Sequence, residues 1–348
     1  MLTIPAPLRL QLDGAALAAN WRWLAQQGGG AATGAAIKAD GYGLGAQAVR
    51  DKLYAAGCRD FFVATWAEAA ALMPMPPGAA LSVLHGVRAE DMAAALMLPA
   101  RPVLNSVEQA ARWRAAGQGR ACDVMVDTGM NRLGLRREEA VGCALAGLSI
   151  ATVMSHLASA DEDSAQNAAQ LAAFRAVRAA VPAARYSLAN SAGICLGPDY
   201  GFDLTRPGLA LYGGVPRAEA AAHLRPVVRL EAQILQKRLV PAGESVGYGA
   251  SWTAARTTPA AIINLGYADG FWRALGGPVT AQLGRVSLSL LGRVSMDLIA
   301  VDLTAAPEAG EGDWLTLPLD LAAASAATGM SQYELLTGLG QRFARVWA

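Results

Sequence analysis

Histidine, cysteine and charge are all scarce in this chain. Of its 348 residues only three are histidine (His85, His156, His223) and four are cysteine (Cys58, Cys122, Cys143, Cys195). No two cysteines form a C-x-x-C pair, so the common zinc frameworks are excluded. All four cysteines read as reduced packing residues. Charged residues make up 16% and the net charge is +1, which leaves no basic surface for nucleic acid and no polybasic patch for an anionic membrane. No uninterrupted apolar segment reaches bilayer-spanning length. The opening residues, Met1-Leu2-Thr3-Ile4-Pro5-Ala6-Pro7, lack the basic flank and apolar stretch of a secretory signal, so the reading is a cytoplasmic protein. A hydrophobic share of 53% argues against disorder. A chain of this length holds two domains, or a barrel and a smaller module.

What the chain does have is a rhythm. Short apolar runs fall at residues 35–38, 60–64, 80–84, 101–104, 122–127, 150–155, 185–189 and 203–206, with helix-like stretches between them. Such runs suit parallel strands buried on both faces. Thr65-Trp66-Ala67-Glu68 and Ser106-Val107-Glu108-Gln109 have capping-box spacing, and residues 164–181 read as one long helix. Gly28-Gly29-Gly30 reads as a plain loop before the first strand. Eight strand–helix units predict an α/β fold with an N-terminal (β/α)8 TIM-type barrel over residues 1–225. After Leu224-Arg225-Pro226 the pattern changes. Residues 227–240 alternate, and further strand-like runs follow at 260–265, 285–291, 298–303 and 314–317. This predicts a C-terminal mainly-β domain over residues 226–348, interrupted by one helix near residues 331–339.

In a barrel, chemistry collects where strands end. The first strand ends in Lys38 and runs into Ala39-Asp40-Gly41-Tyr42-Gly43. A lysine at the end of a buried strand is partly desolvated, which favours the neutral amine that forms a Schiff base with an aldehyde. Taken locally, the same residue also reads as a solvated loop lysine. Strand five runs into Asp127-Thr128-Gly129-Met130-Asn131-Arg132, strand six into Ser155-His156, strand seven into Asn190-Ser191, and strand eight into Arg206-Pro207-Gly208-Leu209. A serine after strand seven and a Pro-Gly turn after strand eight match the usual barrel phosphate site, although each alone is an ordinary turn. A lysine able to form an imine, facing a phosphate pocket across a barrel mouth, is what pyridoxal 5′-phosphate needs.

These motifs resemble the pyridoxal-phosphate-dependent, two-domain alanine racemase family over residues 8–347. They are IKADGYG at Lys38, DTGMNRLG at Arg132, SHLASAD at His156, LANSAG at Ser191, RPGLALYG at Arg206, VGYGASW at Tyr248, LGYADGF at Tyr267 and GRVSMD at Met296. The resemblance implies interconversion of L- and D-alanine by two bases, supplying D-alanine for peptidoglycan. Lys38 would hold the cofactor and act on one face of the substrate. Tyr248, from the β domain of the partner subunit, would act on the other, so a homodimer with shared active sites is implied. Tyrosine ionises near pH 10, so its anion needs nearby positive charge. The resemblance assigns a proton relay to His156, linked to Arg206. It sets Arg206 against the pyridine nitrogen, where a guanidinium keeps its proton and so restrains electron withdrawal by the ring. Arg132 would hold the cofactor phenolic oxygen and approach the substrate carboxylate, to which Met296 offers a backbone amide. Tyr42, Ser191, Gly208 and Leu209 would bind the phosphate, Tyr267 would line the entrance, and Asn190 and Asp297 would support.

There are departures. Met125 stands where several relatives carry a carbamylated lysine that orients the arginine, leaving Asn131, an anion or water for that task. Leu44 replaces a usual histidine, and Gln341, before Arg342, replaces a phosphate-holding tyrosine. A serine or broad-specificity racemase stays open as an alternative. A decarboxylase on the same fold would pair the pyridine with a carboxylate and use a β-domain cysteine, but no cysteine follows Cys195. A carrier barrel would lack the β domain.

Overall fold

The computed structural model describes residues 5–348, so the opening residues read for an export signal lie in part outside it. The chain divides into two compact units. One is Leu17–Arg225; the other joins the residues up to Ala16 with Pro226–Ala348.

The first unit is a parallel barrel. Strands Ala35–Ala36, Asp60–Val63, Ala80–Val83, Arg101–Leu104, Cys122–Met125, Ile150–Met154 and Arg185–Ser187 pair in chain order as a 7-stranded sheet. Leu204–Thr205 supplies the last strand and pairs in parallel with Ala32–Thr33. The seam closes through backbone bonds: Arg206 N–H to the Ala189 carbonyl (2.9 Å), Gly34 N–H to Thr205 (2.9 Å) and Ala36 N–H to Pro207 (2.8 Å). Gly34 lies between Ala32–Thr33 and Ala35–Ala36, and a side chain does not fit there, because a Cβ would lie 2.8 Å from the Asp60 carbonyl oxygen. Helix Trp66–Ala71 starts on a capping box between Thr65 and Glu68. Ser106 and Ser164 cap Val107–Ala116 and Ala165–Ala180 by accepting the N–H groups of Gln109 and Gln166, each at 3.2 Å.

Side chains two residues apart on a strand share a face, and this stacks the barrel interior in layers. Phe62, Val103, Met125, Met154 and Leu204, from five strands, form one apolar cluster. Two residues earlier on their strands lie Asp60, Arg101, Asp123 and Thr152. Arg185 pairs with Asp60 (2.6 Å), Arg101 with Asp123 (3.3 Å), and the Ser82 hydroxyl donates to Asp123 (2.6 Å). Two residues later come Asn105, Asp127, His156 and Arg206, at the mouth. The floor is therefore charged and paired, the middle is apolar, and the polar end opens where the loops begin.

The second unit is built on Val228–Val240. This strand pairs with Leu8–Leu12, Thr258–Ile263 and Trp314–Pro318, all antiparallel. Leu8–Leu12, counted with the barrel on sequence grounds, belongs to this sheet; Leu8, Leu10 and Leu12 bury one face of it. Its other neighbour is Ala344–Trp347, paired in parallel. Two helices replace the single one expected. Asp320 caps Leu321–Thr328 by accepting the N–H groups of Ala322 and Ala323 at 3.0 Å, and Ser331 starts Gln332–Thr337 with a Glu334 capping box. Among the described residues no helix is long and apolar enough to cross a membrane.

The layered barrel makes a stability prediction. Asp123 is fully buried, so Arg101→Leu strands its carboxylate without that cation. Urea denaturation should show a loss of about 3 kcal/mol. A loss no larger than that of a surface substitution would contradict the pairing.

Candidate active site

Lys38 follows Ile37, whose N–H donates to the Phe62 carbonyl (2.9 Å) and so continues the first strand to the barrel rim. The chain then reverses its hand. Ala39, Asp40, Gly41 and Tyr42 have φ of 53°, 53°, 63° and 57°. Each non-glycine residue in that region costs roughly 1 kcal/mol, so the turn needs outside support. Gly41 N–H donates to Ile37 (2.9 Å), Gly43 N–H to Ala39 (2.8 Å), and Ala46 N–H to the Asp40 carboxylate (2.9 Å). Glu68, from the next unit, accepts the Ala39 N–H at 2.7 Å.

The turn delivers Tyr42 to a buried position, stacked on Tyr212 with ring centroids 4.5 Å apart. Its hydroxyl lies against Gly208, where a Cβ would come within 2.2 Å of it. The Ser191 hydroxyl oxygen accepts the N–H groups of Gly208 (2.9 Å) and Ala210 (3.2 Å). Asn190 caps the short helix Ser191–Cys195 by accepting the Gly193 N–H (2.8 Å). Leu209 opens the following turn, Leu209–Tyr212. Tyr42, Ser191, Gly208 and Leu209 thus gather around one cradle of backbone amides and hydroxyls.

Positive charge gathers beside it. Arg206 is 7% exposed and donates to the Ser187 hydroxyl and the Ser155 carbonyl. Burial lowers its pKa to about 10, with the Asp123 charge opposing, so it stays a cation at neutral pH. Among the described residues no hydrogen bond joins it to His156; the link runs through the backbone of the residue before. His156, partly accessible, has its pKa lowered to about 3 by burial and then by Arg206, Arg132 and Lys38, which keeps it neutral. Lys38 is lowered from its ordinary value by burial and by Arg132, with Glu68 opposing. Arg132 itself is exposed.

Some contributors went unread in the sequence. Gln166 and Gln170, four apart on Ala165–Ala180, knit two mouth loops together. Gln166 donates to the Gly129 carbonyl (3.0 Å), and Gln170 donates to the carbonyl of His156 (3.0 Å) while accepting the Ala158 N–H (2.9 Å). Two amides spaced one turn apart at the start of an otherwise Ala-rich helix were the available signal. Met125 is part of the apolar middle layer and offers Arg132 no charge. Leu44 is fully buried.

The other candidates lie in the β unit. Tyr248 stands in the turn Tyr248–Ala250 and is 66% exposed; Met296 is 53% exposed. Tyr267 and Met296 are held in adjacent segments: the Tyr267 N–H donates to Ser295 and the Ala268 N–H to Met296, both at 3.0 Å. Gly266 is required there, since a Cβ would fall 2.1 Å from the Met296 carbonyl oxygen. Arg342 grips buried Asp269 with two nitrogens (2.6 and 2.9 Å) and reaches Asp297 with a third (2.7 Å). Gln341 is exposed.

A closed parallel barrel with a desolvated lysine, an anion cradle and a buried arginine at its mouth, followed by a β unit, defines a class: barrel proteins built to hold a phosphorylated carbonyl compound. The comparisons narrow it. Residues 12–216 match the model for "Alanine racemase, N-terminal domain" and residues 227–347 that for "Alanine racemase, C-terminal domain". The alanine racemase of Acidiphilium cryptum is 45% identical over 97% of this chain and 98% of its own. A crystal structure of alanine racemase from Bartonella henselae with covalently bound pyridoxal phosphate superposes with a TM-score of 0.90 at 36% identity, covering 99% of this chain and 100% of that one. Biosynthetic alanine racemase from Pseudomonas aeruginosa gives 0.85 at 33% identity, with the same coverage. The chain belongs to the alanine racemase family.

Two outcomes follow from the geometry. Gly208→Ala must push the Tyr42 hydroxyl aside, and thermal unfolding should show a destabilisation of about 2 kcal/mol; an unchanged midpoint would contradict the close approach. Between pH 3 and the ordinary histidine value of about 6.5, the unfolded chain binds a proton at position 156 that the native protein refuses. Stability should therefore fall as pH drops below about 6.5. In urea titrations at pH 7.5 and 5, His156→Gln should lose less than the wild type.

Proposed function

We propose that this protein interconverts L-alanine and D-alanine with pyridoxal 5′-phosphate as cofactor. The observation that carries the reading is a partly buried lysine at the barrel rim, Lys38, on the same turn that delivers Tyr42 to the Ser191–Gly208 cradle. The residues present suit the cofactor. A side chain at position 208 would fill the cradle, and the neighbouring cations match a dianionic phosphate and a substrate carboxylate.

When bound, the cofactor supplies an aldehyde carbon for an amine and a ring that accepts the electrons of a broken Cα–H bond. Lys38 is the residue that would hold that carbon, and its free amine would carry a proton to or from the substrate Cα on one face. Tyr42, Ser191, Gly208 and Leu209 hold the phosphate, with Asn190 fixing Ser191. Arg206 would face the ring nitrogen and, as a cation at neutral pH, would keep that nitrogen from becoming fully protonated. Arg132 would hold the ring oxygen and the substrate carboxylate, and His156 stays neutral under the influence of the cations.

Tyr248 works on the opposite face of Cα from a partner subunit. Its exposure, and that of Met296, support a second chain covering them in a homodimer. Met296 gives a backbone amide to the carboxylate, and Tyr267 narrows the entrance to a small side chain. The reaction suits a cytoplasmic enzyme feeding D-alanine to peptidoglycan.

Circular dichroism followed over time with D-alanine, L-alanine and L-serine tests reaction and substrate together. Both alanine enantiomers should decay to a racemic mixture, with L-serine nearly inert; faster loss of L-serine would reassign the substrate. Lys38→Ala should abolish turnover and the visible absorption of the bound cofactor. Mixing inactive Lys38→Ala and Tyr248→Phe proteins should restore part of the activity, because a hybrid dimer then holds one site free of both changes. No recovery from demonstrated hybrids would rule out the shared site.

A further inference from the structure

The Thr65–Glu68 capping box does more than start a helix. A capping-box glutamate returns to the N-cap N–H, and Glu68 Oε2 does so, accepting the N–H groups of Thr65 (3.1 Å) and Ala64 (2.6 Å). Its other oxygen, Oε1, leaves the helix and accepts the N–H of Ala39, the residue after Lys38 and the first of the left-handed run. Helix capping has no use for that bond, which joins two mouth loops 29 residues apart in sequence. We propose that Glu68 is a positioning residue for Lys38: its carboxylate clamps the left-handed turn that aims the amine into the barrel mouth.

The geometry gives the clamp leverage. Ala39 and Asp40 both sit where L-residues are strained, and relaxing Ala39 to right-handed φ would swing the Lys38–Ala39 peptide and with it the root of the lysine side chain. On the far side of the turn the Asp40 carboxylate holds Ala46 N–H, so the two carboxylates brace the run from both ends. The charges acting on the amine are Arg132, from the loop after the fifth strand, and Glu68; the amine in turn acts with Arg132 and Arg206 on neutral His156. Glu68 is the anion of that set. It opposes the lowering imposed by burial and Arg132. A residue that must both give and take a proton needs both forms within reach.

The inference rests on Lys38 being the cofactor lysine, and its test separates the two claims. In the full-length protein freed of cofactor, the rate at which the amine captures added pyridoxal 5′-phosphate, read by absorbance, is measured against pH. The midpoint reports the ionisation of Lys38, and the alkaline plateau, where the amine is neutral, reports its placement. Glu68→Gln removes the charge and one set of acceptors. Thr65→Ala breaks the helix cap without touching the Ala39 bond. Glu68→Gln should move the midpoint to lower pH and lower the plateau about tenfold, as expected when a reacting group is misplaced. Thr65→Ala should reduce thermal stability and leave the profile in place. Glu68→Asp, with the charge retained on a shorter arm, should keep a midpoint closer to wild type than Glu68→Gln. If Glu68→Gln instead reproduces the wild-type profile and loses only the stability lost by Thr65→Ala, Glu68 is a helix cap and the proposal falls. If the wild-type protein itself captures no cofactor, the functional reading falls first.

Discussion

Too much positive charge in too little water is the condition on which this site rests. Lys38, Arg132 and Arg206 act together on His156, and burial of His156, Lys38 and Arg206 removes much of the solvent that would screen their repulsion. The response is unequal. Arg206 keeps its proton because guanidinium is the weakest acid present, His156 gives its proton up, and the Lys38 pKa is lowered. A region in this state is prepared for an anionic ligand before any ligand arrives. A phosphate and a carboxylate relieve that repulsion.

The barrel makes such a concentration tolerable by separating its layers. The charged floor is internally paired: Asp60 with Arg185, and Asp123 with Arg101 and Ser82. The apolar middle layer, with Met125 in it, stands between floor and mouth and keeps water from linking them. Asp123 still reaches Arg206 as a distant counter-charge. The hydroxyls of Ser187 and Ser191 then do local work that carboxylates could not do without discharging the cations. Ser187 accepts from Arg206, and Ser191 orients the amides of Gly208 and Ala210.

Much of this was legible in the sequence, because barrels write their function at strand ends. The apolar runs at residues 60–64, 101–104 and 150–155 end next to polar groups, and period two alone then puts His156 and Arg206 on the interior face. Pairing between distant segments was not legible. Leu8–Leu12 is too short to declare itself, and its partners Val228–Val240 and Ala344–Trp347 lie at the far end of the chain. Helix Leu321–Thr328 is nearly all alanine and leucine, so it shows no amphipathic stripe, and its Asp320 cap was the only local cue. Glu68 was read correctly as a cap, but its second bond depends on a left-handed backbone run that no side-chain pattern announces. Gln166 and Gln170 carry no signal of which loops they hold, because those loops lie 37 and 14 residues away in sequence.

The claim at the centre is that one particular amine carries the cofactor, and the chain is well suited to testing it, since its other lysines are Lys52 and Lys237 alone. Borohydride reduction of the full-length protein as isolated, followed by peptide mass mapping, fixes the cofactor to whichever amine holds it. The account predicts a phosphopyridoxyl group on the peptide bearing Lys38 and on no other. A label on Lys52 or Lys237, with Lys38 unmodified, would contradict it.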